Sequence, residues 1–220
     1  MEDPITTRLL RLDACALSDA SDKLGITACV TGLLPLSAAR KIAGRVHTVK
    51  LVKAADAPAT SGAPVHLGSK AIMACQPGEI IVVEQNTGLD AGSWGGILSM
   101  GAKVRGVGGV IASGPVRDID EAKQMDFAVY APRTTARTAR GRVVEAATDG
   151  PITVGEVTVN AGDYVLADGS AVVFVSAANA EKVVGEAEKI AKREAVMAKA
   201  LMDGKPITEV MGADYEHMLR

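Results

Sequence analysis

Aromatic side chains are scarce in this chain: one tryptophan, two phenylalanines and three tyrosines among 220 residues. An interior built with so few has to be filled by small and branched side chains packed closely, which suits layers of helices on sheets. Cysteine is scarce too. Cys15, Cys29 and Cys75 are odd in number, far apart and set among apolar neighbours, so neither a disulfide framework nor a zinc-ligand pair is suggested; buried thiols in a reducing cytosol are the expectation. No charge of either sign dominates, with 24 Lys and Arg against 26 Asp and Glu and a net charge of −2. That leaves no global field for polyanions, and nucleic acid is not expected as the primary partner. No apolar run approaches the ~20 residues needed to cross a bilayer. The opening MEDPITTRLL carries acids before any apolar run, unlike a secretory signal. A cytoplasmic protein with no membrane partner is expected. Hydrophobic residues make up 48% of the chain, enough for one sizeable core, and neither an internal repeat nor a long linker interrupts it. The expectation is a single domain over 1–220, with 177–220 as a C-terminal helical extension.

The hydrophobic pattern alternates between helical and strand periods. Residues 4–24 show helical spacing at Leu9, Leu10, Ala14, Leu17, Ala20 and Leu24, with Gly25 as a stop, and predict one or two short helices. Residues 44–52 alternate with period two and predict a strand. Residues 53–62, rich in Ala, Pro, Ser and Gly, predict a loop bordering a pocket. A helix over 64–75, a turn at Gln76-Pro77-Gly78-Glu79 and a central strand over 80–84 follow. A helix over 93–104, a buried strand over 107–112, a short helix over 119–125 and a strand at 128–130 continue the alternation, which implies mainly parallel pairing. Arg133, Arg137, Arg140 and Arg142 stud a loop or edge that could meet polyanionic substrates or an acidic neighbouring subunit, or simply be solvated. Residues 151–175 predict a β-meander, and 178–203 a long amphipathic helix with its stripe at Val183, Val184, Ala187, Ile190, Ala191, Met197, Ala198 and Leu201.

Chemistry concentrates in one passage. Gly95-Gly96-Ile97-Leu98 opens a helix whose backbone N–H groups and positive end can hold a carboxylate without any side-chain charge. Arg117 and Asp118 follow a buried strand, where ligand sites of α/β sheets form. The guanidinium fork suits a carboxylate or keto oxygen and the aspartate suits a divalent cation such as Mg²⁺ or Mn²⁺, which polarises a 2-keto oxygen. From spacing alone, a solvated Arg-Asp surface pair is the competing reading. No Ser-His-Asp arrangement or Walker loop appears, and Gly106-Val107-Gly108-Gly109 precedes a strand where a dinucleotide fingerprint would follow one.

This passage resembles the signature of the RraA-like family, which includes 4-hydroxy-4-methyl-2-oxoglutarate and 4-carboxy-4-hydroxy-2-oxoadipate aldolases with associated oxaloacetate decarboxylase activity. The signature is Gly followed by an acid, twenty residues, Arg-Asp, two residues and another acid. Gly95-Gly96, Arg117-Asp118 and Glu121 stand at those places. Leu17-Ser18-Asp19-Ala20 is similar to the family's opening helix, 76–83 to its proline-glycine turn and strand, and 162–168 to its late hairpin. The resemblance implies an α/β fold of the RraA-like, phosphohistidine-domain-like type: a layered sandwich with a mixed sheet and a long C-terminal helix. It also implies a homotrimer or homohexamer, and a class II aldolase or decarboxylase that releases pyruvate from a 2-oxo acid. Asp118 would be the metal ligand, Arg117 would bind the oxo-acid end, and the amides of Gly95, Gly96, Ile97 and Leu98 would hold the pyruvyl carboxylate.

The departure is Gly96, where the family has an acid. Its absence removes a carboxylate near a metal-bound water, a kind of loss that costs about 10- to 100-fold in affinity or activity. A slow aldolase, another metal-dependent lyase or hydratase on the same scaffold, and a non-catalytic regulator of a ribonuclease are the readings that remain. Accessory candidates are Glu121, which could compensate or be solvated; Glu194, the counterpart of a glutamate that a neighbouring subunit brings to the metal in the family, or an exposed helix charge; and His66, a proton donor or a structural histidine. His47, within a strand, and His217, in the tail, have no partner in sequence that would suggest catalysis.

Overall fold

The computed structural model describes residues 3–57 and 66–212. The chain opens with two helices, α1 (Pro4–Leu9) and α2 (Ala14–Lys23). Asp3 and Asp13 cap them: Asp3 Oδ1 accepts from the Ile5 and Thr6 amides and Asp13 Oδ1 from the Ala16 amide. Short strands β1 (Cys29–Val30) and β2 (Leu34–Pro35) lead into β3 (Ile42–Lys53), the strand on which the fold is organised. Then come α3 (Ser69–Ala74), β4 (Ile80–Gln85), α4 (Gly96–Val104), β5 (Gly109–Ala112), α5 (Ile119–Gln124) and β6 (Val129–Ala131). The second half contributes β7 (Val143–Thr148), β8 (Ile152–Val154), β9 (Val157–Val159), β10 (Tyr164–Ala167), β11 (Val172–Val175), α6 (Ala180–Met202) and α7 (Ile207–Val210).

The sheet is mixed and curled, in the order β1-β11-β10-β3-β4-β5-β6-β2, with β7 also on β3. At its start β3 runs antiparallel to β10, with Gly44 opposite Val165. Further along it runs parallel to β4, with Val46 opposite Ile80, and antiparallel to β7, with a bulge at Lys50/Leu51. Strands β4, β5 and β6 continue in parallel, as the strand-helix alternation predicts. Three apolar clusters share β3. Val49 and Leu51 pack under α3, α4 and α5; Ala43 packs with α1, α2 and α6; Ile42 and Val46 line the inner face with β8 and β9. Among the described residues no helix is long and apolar enough to cross a membrane.

Several expectations shift in detail. Within 151–175 only β10 and β11 join the large sheet, while β8 and β9 form a separate hairpin. Strands β1, β2 and β7 are absent from the sequence reading: the first two have two residues each, too short for a period, and β7 reads VVEAAT with no alternation in burial. The helix expected over 64–75 begins at Ser69, because Gly68 stands before it in the left-handed region at φ 77°. Most of the loop expected over 53–62 lies outside the described residues; its start, Ala54–Asp56, is a 3-10 turn. Of the cysteines only Cys75 is buried; Cys15 and Cys29 are exposed. Cys15 faces away from the α2 stripe of Ala14, Leu17 and Ala20, and Cys29 is the outward residue of a two-residue edge strand.

The C-terminal helix is fixed to the N-terminal pair by ions as well as by its apolar stripe. Arg8 bridges Glu181 and Glu188 at 2.7 Å each, and Lys23 Nζ lies 2.8 Å from Glu186. Lys23, then Lys189, hold the Glu186 carboxyl at about 2, below its usual 4.5. A depressed carboxylate contributes stability that is complete above the unfolded-state pKa and lost as pH falls through the folded-state one. Lys23→Ala is therefore expected to lower stability at neutral pH by up to about 1 kcal/mol. In denaturant titrations its gap from the wild type should close between pH 4.5 and about 2.

Candidate active site

Two chain crossings build the site at the C-terminal ends of β4 and β5. At the end of β4, Gln85 donates its side-chain Nε2 to the Ala91 carbonyl at 2.8 Å, and after β5, Ser113 Oγ accepts from the Gln85 backbone amide at 2.8 Å. The strands' exits are thereby locked together. The Ser93 amide donates to Pro115 O at 2.7 Å and the Arg117 amide to Trp94 O at 3.0 Å, so the segment before α4 and the segment before α5 run side by side. Gly114 permits this approach: a Cβ there would lie 2.6 Å from Ser93 Oγ and 2.7 Å from Gln85 Oε1. Trp94 is buried beneath, its indole N–H donating to Ser99 Oγ at 3.0 Å.

Asp118 occupies the N-cap position of α5, but its side chain makes no bond to that helix. An aspartate there ordinarily folds back onto its own first turn. Here the backbone is left-handed, at φ 59° and ψ 37°, a conformation that costs a non-glycine residue roughly 1 kcal/mol or more and recurs at functional positions. The carboxylate is thereby carried across to α4, where Oδ2 accepts from the Gly96 amide at 3.0 Å. Arg117 Nε approaches both oxygens, at 3.2 and 3.1 Å. Asp118 thus sits at the positive end of α4 and remains 30% exposed on its side chain. Gly95 permits it, since a Cβ there would meet Asp118 Oδ2 at 2.9 Å.

Glu121 completes the group. A Cβ on Gly96 would lie 1.8 Å from Glu121 Oε2 and 3.2 Å from Asp118 Cβ. The glutamate carboxylate therefore fills the space that a side chain at position 96 would need. Arg117, Asp118, Glu121, Thr134 and Thr135 line one open cleft of about 530 Å³. Beside it, Asp90 pairs with Arg133 at 2.7 Å and with Arg137 at 3.2 Å, and Arg133 foremost holds its carboxyl below the usual range. Two arginines of the basic cluster thus share one carboxylate, and Arg142 Nη1 donates to Thr138 O.

The sequence candidates separate spatially. Gly95, Gly96, Arg117, Asp118 and Glu121 converge, with the helix starting at Gly96 instead of Ser93. Leu98 is buried in the core under α4, and Ile97 is 86% exposed at the rim. His66 is not at the cleft; its Nδ1 lies 3.2 Å from the Leu67 carbonyl. Glu194 stands on α6, where burial first and then Asp13 and Asp19 push its carboxyl up, away from the cleft within one chain. His217 lies outside the described residues. His47 differs from expectation: both its ring nitrogens have carboxylate partners. Sequence reasoning also missed Thr134 and Thr135, which reach the cleft because the Thr135 amide bonds Val116 O; nothing in their local pattern marks them.

The RraA-like family profile (Aldolase/RraA) matches residues 14–174. The chain belongs to the RraA-like family. Among curated relatives, Protein DlpA of Legionella pneumophila is 24% identical over 202 residues, 92% of this chain and 32% of that protein. A protein of Halalkalibacterium halodurans provisionally named as a 4-hydroxy-4-methyl-2-oxoglutarate aldolase is 23% identical, over 90% of this chain and 88% of its own. A likewise provisionally named aldolase of Deinococcus radiodurans is 34% identical over 91 residues, 41% of this chain and 56% of that protein. The chain spans about a third of DlpA's length. Among solved structures, an uncharacterized protein from Pseudomonas syringae superposes with a TM-score of 0.82 at 24% identity, covering 96% of this chain and 98% of that one. Streptomyces coelicolor RraAS2, described as an unusual member of the RNase ES inhibitor RraA family, gives 0.75 at 21% identity, covering 89% and 96%. The RraA-like fold is therefore shared: a curled mixed sheet with a long C-terminal helix.

Proposed function

We propose that this RraA-like protein is a divalent-cation-dependent lyase that cleaves a C–C bond of a 2-oxo acid and releases pyruvate. The observation that carries the proposal is the displayed Asp118 carboxylate, held by a left-handed backbone at the amino end of α4 beside Arg117. The aldolase names of relatives from Halalkalibacterium and Deinococcus support the same reaction class.

The donor set fits a hard cation. Asp118 and Glu121 offer carboxylate oxygens on an open cleft, and Mg²⁺ takes one or two carboxylates while keeping several waters. Asp118 would hold the ion directly and Glu121 would order its water. Once bound, such an ion draws electron density from the 2-keto oxygen and eases cleavage of the neighbouring C–C bond. Arg117 spends Nε on Asp118, so its terminal fork is what it offers to the substrate carboxylate. The first-turn amides of α4 add backbone donors and positive potential, and the hydroxyl of Thr134, which also lines the cleft, can orient a second carboxylate. We infer also that a trimer or hexamer is the working form. An apolar row on α4 beside the site, Ile97, Met100 and Val104, is exposed in one subunit, and a neighbouring copy packed there would close the open side of the cleft and bring its Glu194 closer.

The test is pyruvate release from oxaloacetate by the purified chain with Mg²⁺ or Mn²⁺, measured above the cation-only blank and after chelation. No rate above the blank for any of a panel of 2-oxo acids would overturn the reading. Glu121→Gln is expected to lower kcat/KM about 10- to 100-fold with little change in stability, because Glu121 is exposed. Equal cation titrations of activity in the two proteins would remove Glu121 from the site.

A further inference from the structure

A second cluster of chemistry-bearing side chains lies at the other end of the parallel strands, one strand length from the cleft. His47 comes from β3, Cys75 from the C-terminal end of α3, and Glu79 from the turn that starts β4. One ligand atom from each lies within 4.8 Å of the others. Asp149, in the turn between β7 and β8, is the fourth member: its Oδ1 is 2.9 Å from His47 Nδ1.

The arrangement around the imidazole has a direction. His47 Nδ1 faces Asp149 and Nε2 faces Glu79 Oε2 at 2.9 Å. A neutral ring carries one N–H and one lone pair. If Nδ1–H is donated to Asp149, the Nε2 lone pair points at a carboxylate oxygen, which is repulsive unless a positive species lies between them. A second proton would serve, and so would a cation. Cys75 favours the cation: its side chain also packs in the apolar cluster under α3 and α4, but its sulfur brings a third donor atom within reach of the pair. A carboxylate on the outer nitrogen of a histidine whose inner nitrogen meets sulfur and oxygen is how ligating histidines are usually oriented.

The frame is rigid before any ion arrives. Glu79 Oε2 accepts from the Gln76 amide at 2.7 Å, the Gly78 amide donates to Gly106 O and the Gly108 amide to Glu79 O, both at 2.8 Å. Gly78 is at φ 88°, and Gly44 gives it room, since a Cβ there would sit 2.6 Å from Gly78 O. Asp149 is, with Asp118 and Asp126, one of three aspartates in the left-handed region, at φ 57°, and is held by its amide on Thr48 O at 2.8 Å. That turn aims its carboxylate at the ring.

We propose that His47 Nε2, Cys75 Sγ and Glu79 Oε2 form a binding site for one thiophilic divalent cation of the zinc class, with Asp149 orienting the histidine and a water in the fourth position. Nitrogen, thiolate and carboxylate donors together select Zn²⁺ or Co²⁺ over Mg²⁺. Tetrahedral bonds of 2.0–2.3 Å place ligand atoms about 3.5 Å apart, so atoms that lie within 4.8 Å of one another need close by no more than about 1.3 Å on binding, and the Cys75 proton leaves to solvent. The bound ion ties together β3, the end of α3 and the turn that starts β4, and so acts as a structural clip. It is independent of the lyase reading, which uses oxygen donors at the opposite end of the strands.

The test is Co²⁺ titration of the metal-free full-length protein. One equivalent should produce tetrahedral d–d bands and a thiolate-to-cobalt charge-transfer band, both abolished by Zn²⁺, and Zn²⁺ should raise Tm. Cys75→Ser and His47→Gln should lose the charge-transfer band or its saturation, and Asp149→Asn should weaken binding about 10- to 100-fold. The band should survive in a Cys15→Ser/Cys29→Ser protein, which lacks the exposed thiols, and in Asp118→Asn. Absence of the band in the wild type, its persistence in Cys75→Ser, or its loss with Cys15 and Cys29 would each overturn the site. Should Cys75→Ser fail to fold, the partly exposed His47→Gln decides alone: an unchanged titration sinks the proposal.

Discussion

Asp118→Ala is expected to reduce cation-dependent pyruvate release from oxaloacetate at least about a thousandfold, to the cation-only blank. The size follows from what the carboxylate is asked to do. A cation on a keto oxygen would lower the barrier by several kcal/mol, and each ~1.4 kcal/mol is a factor of ten. Alanine also tolerates φ 59° less well than aspartate and leaves the Gly96 amide without its acceptor, so loss of fold has to be separated from loss of chemistry. Asp118→Asn does so: asparagine tolerates the left-handed region and keeps an oxygen for Gly96, but it lacks the charge that holds a cation. The expected result is a normal Tm with activity still at the blank. Activity retained in Asp118→Asn would refute the assignment of Asp118 as the metal ligand.

Trp94→Ala should be the most disruptive single change near the site. The side chain is 2% exposed in the cluster under α3 and α4, and truncating a buried tryptophan costs about 3–5 kcal/mol through lost transfer energy and the cavity left behind. The indole also bonds Ser99 Oγ and packs where Gly68 comes closest, a Gly68 Cβ position lying 2.9 Å from the ring. The same residue's carbonyl receives the Arg117 amide, so the loosened backbone releases the segment bearing Arg117 and Asp118. Thermal unfolding should shift downward by many degrees, and residual activity should fall even at temperatures where the variant stays folded. A Tm within a degree of the wild type would contradict the packing described.

The layout of elements was largely legible from hydrophobic period. Long elements with a clean pattern, such as the continuous apolar β4 or α6 as far as Val183, Val184, Ala187 and Ile190, could be read directly because burial itself produces the period. The stripe expected to continue along α6 does not, since Ala191 and Met197 are only partly buried and Ala198 and Leu201 are exposed. Short or bulged strands could not. β7 owes its place to pairing with a distant strand, and two-residue strands carry no period at all. At the site, the order Gly95-Gly96, Arg117-Asp118, Glu121 marked a convergence, but not its form. That Asp118 reaches over to the Gly96 amide depends on a backbone angle that the sequence hides. That Glu121 stands in the space vacated at position 96 depends on two helices packing across each other. The His47, Cys75 and Glu79 grouping escaped for the same reason: the three approach one another only because β3 and β4 pair in register, with His47 opposite Ile81.

The length of β3 has a mechanical meaning. Its first residues are bonded to β10, its middle to β4, and its end to β4 and β7 together. One uninterrupted backbone therefore underlies the helices of both termini and those that frame the cleft. Neither part can come apart alone without breaking rungs that the other also uses, so melting is concerted, and a grip tightened anywhere along this spine is felt as resistance to unravelling throughout the molecule.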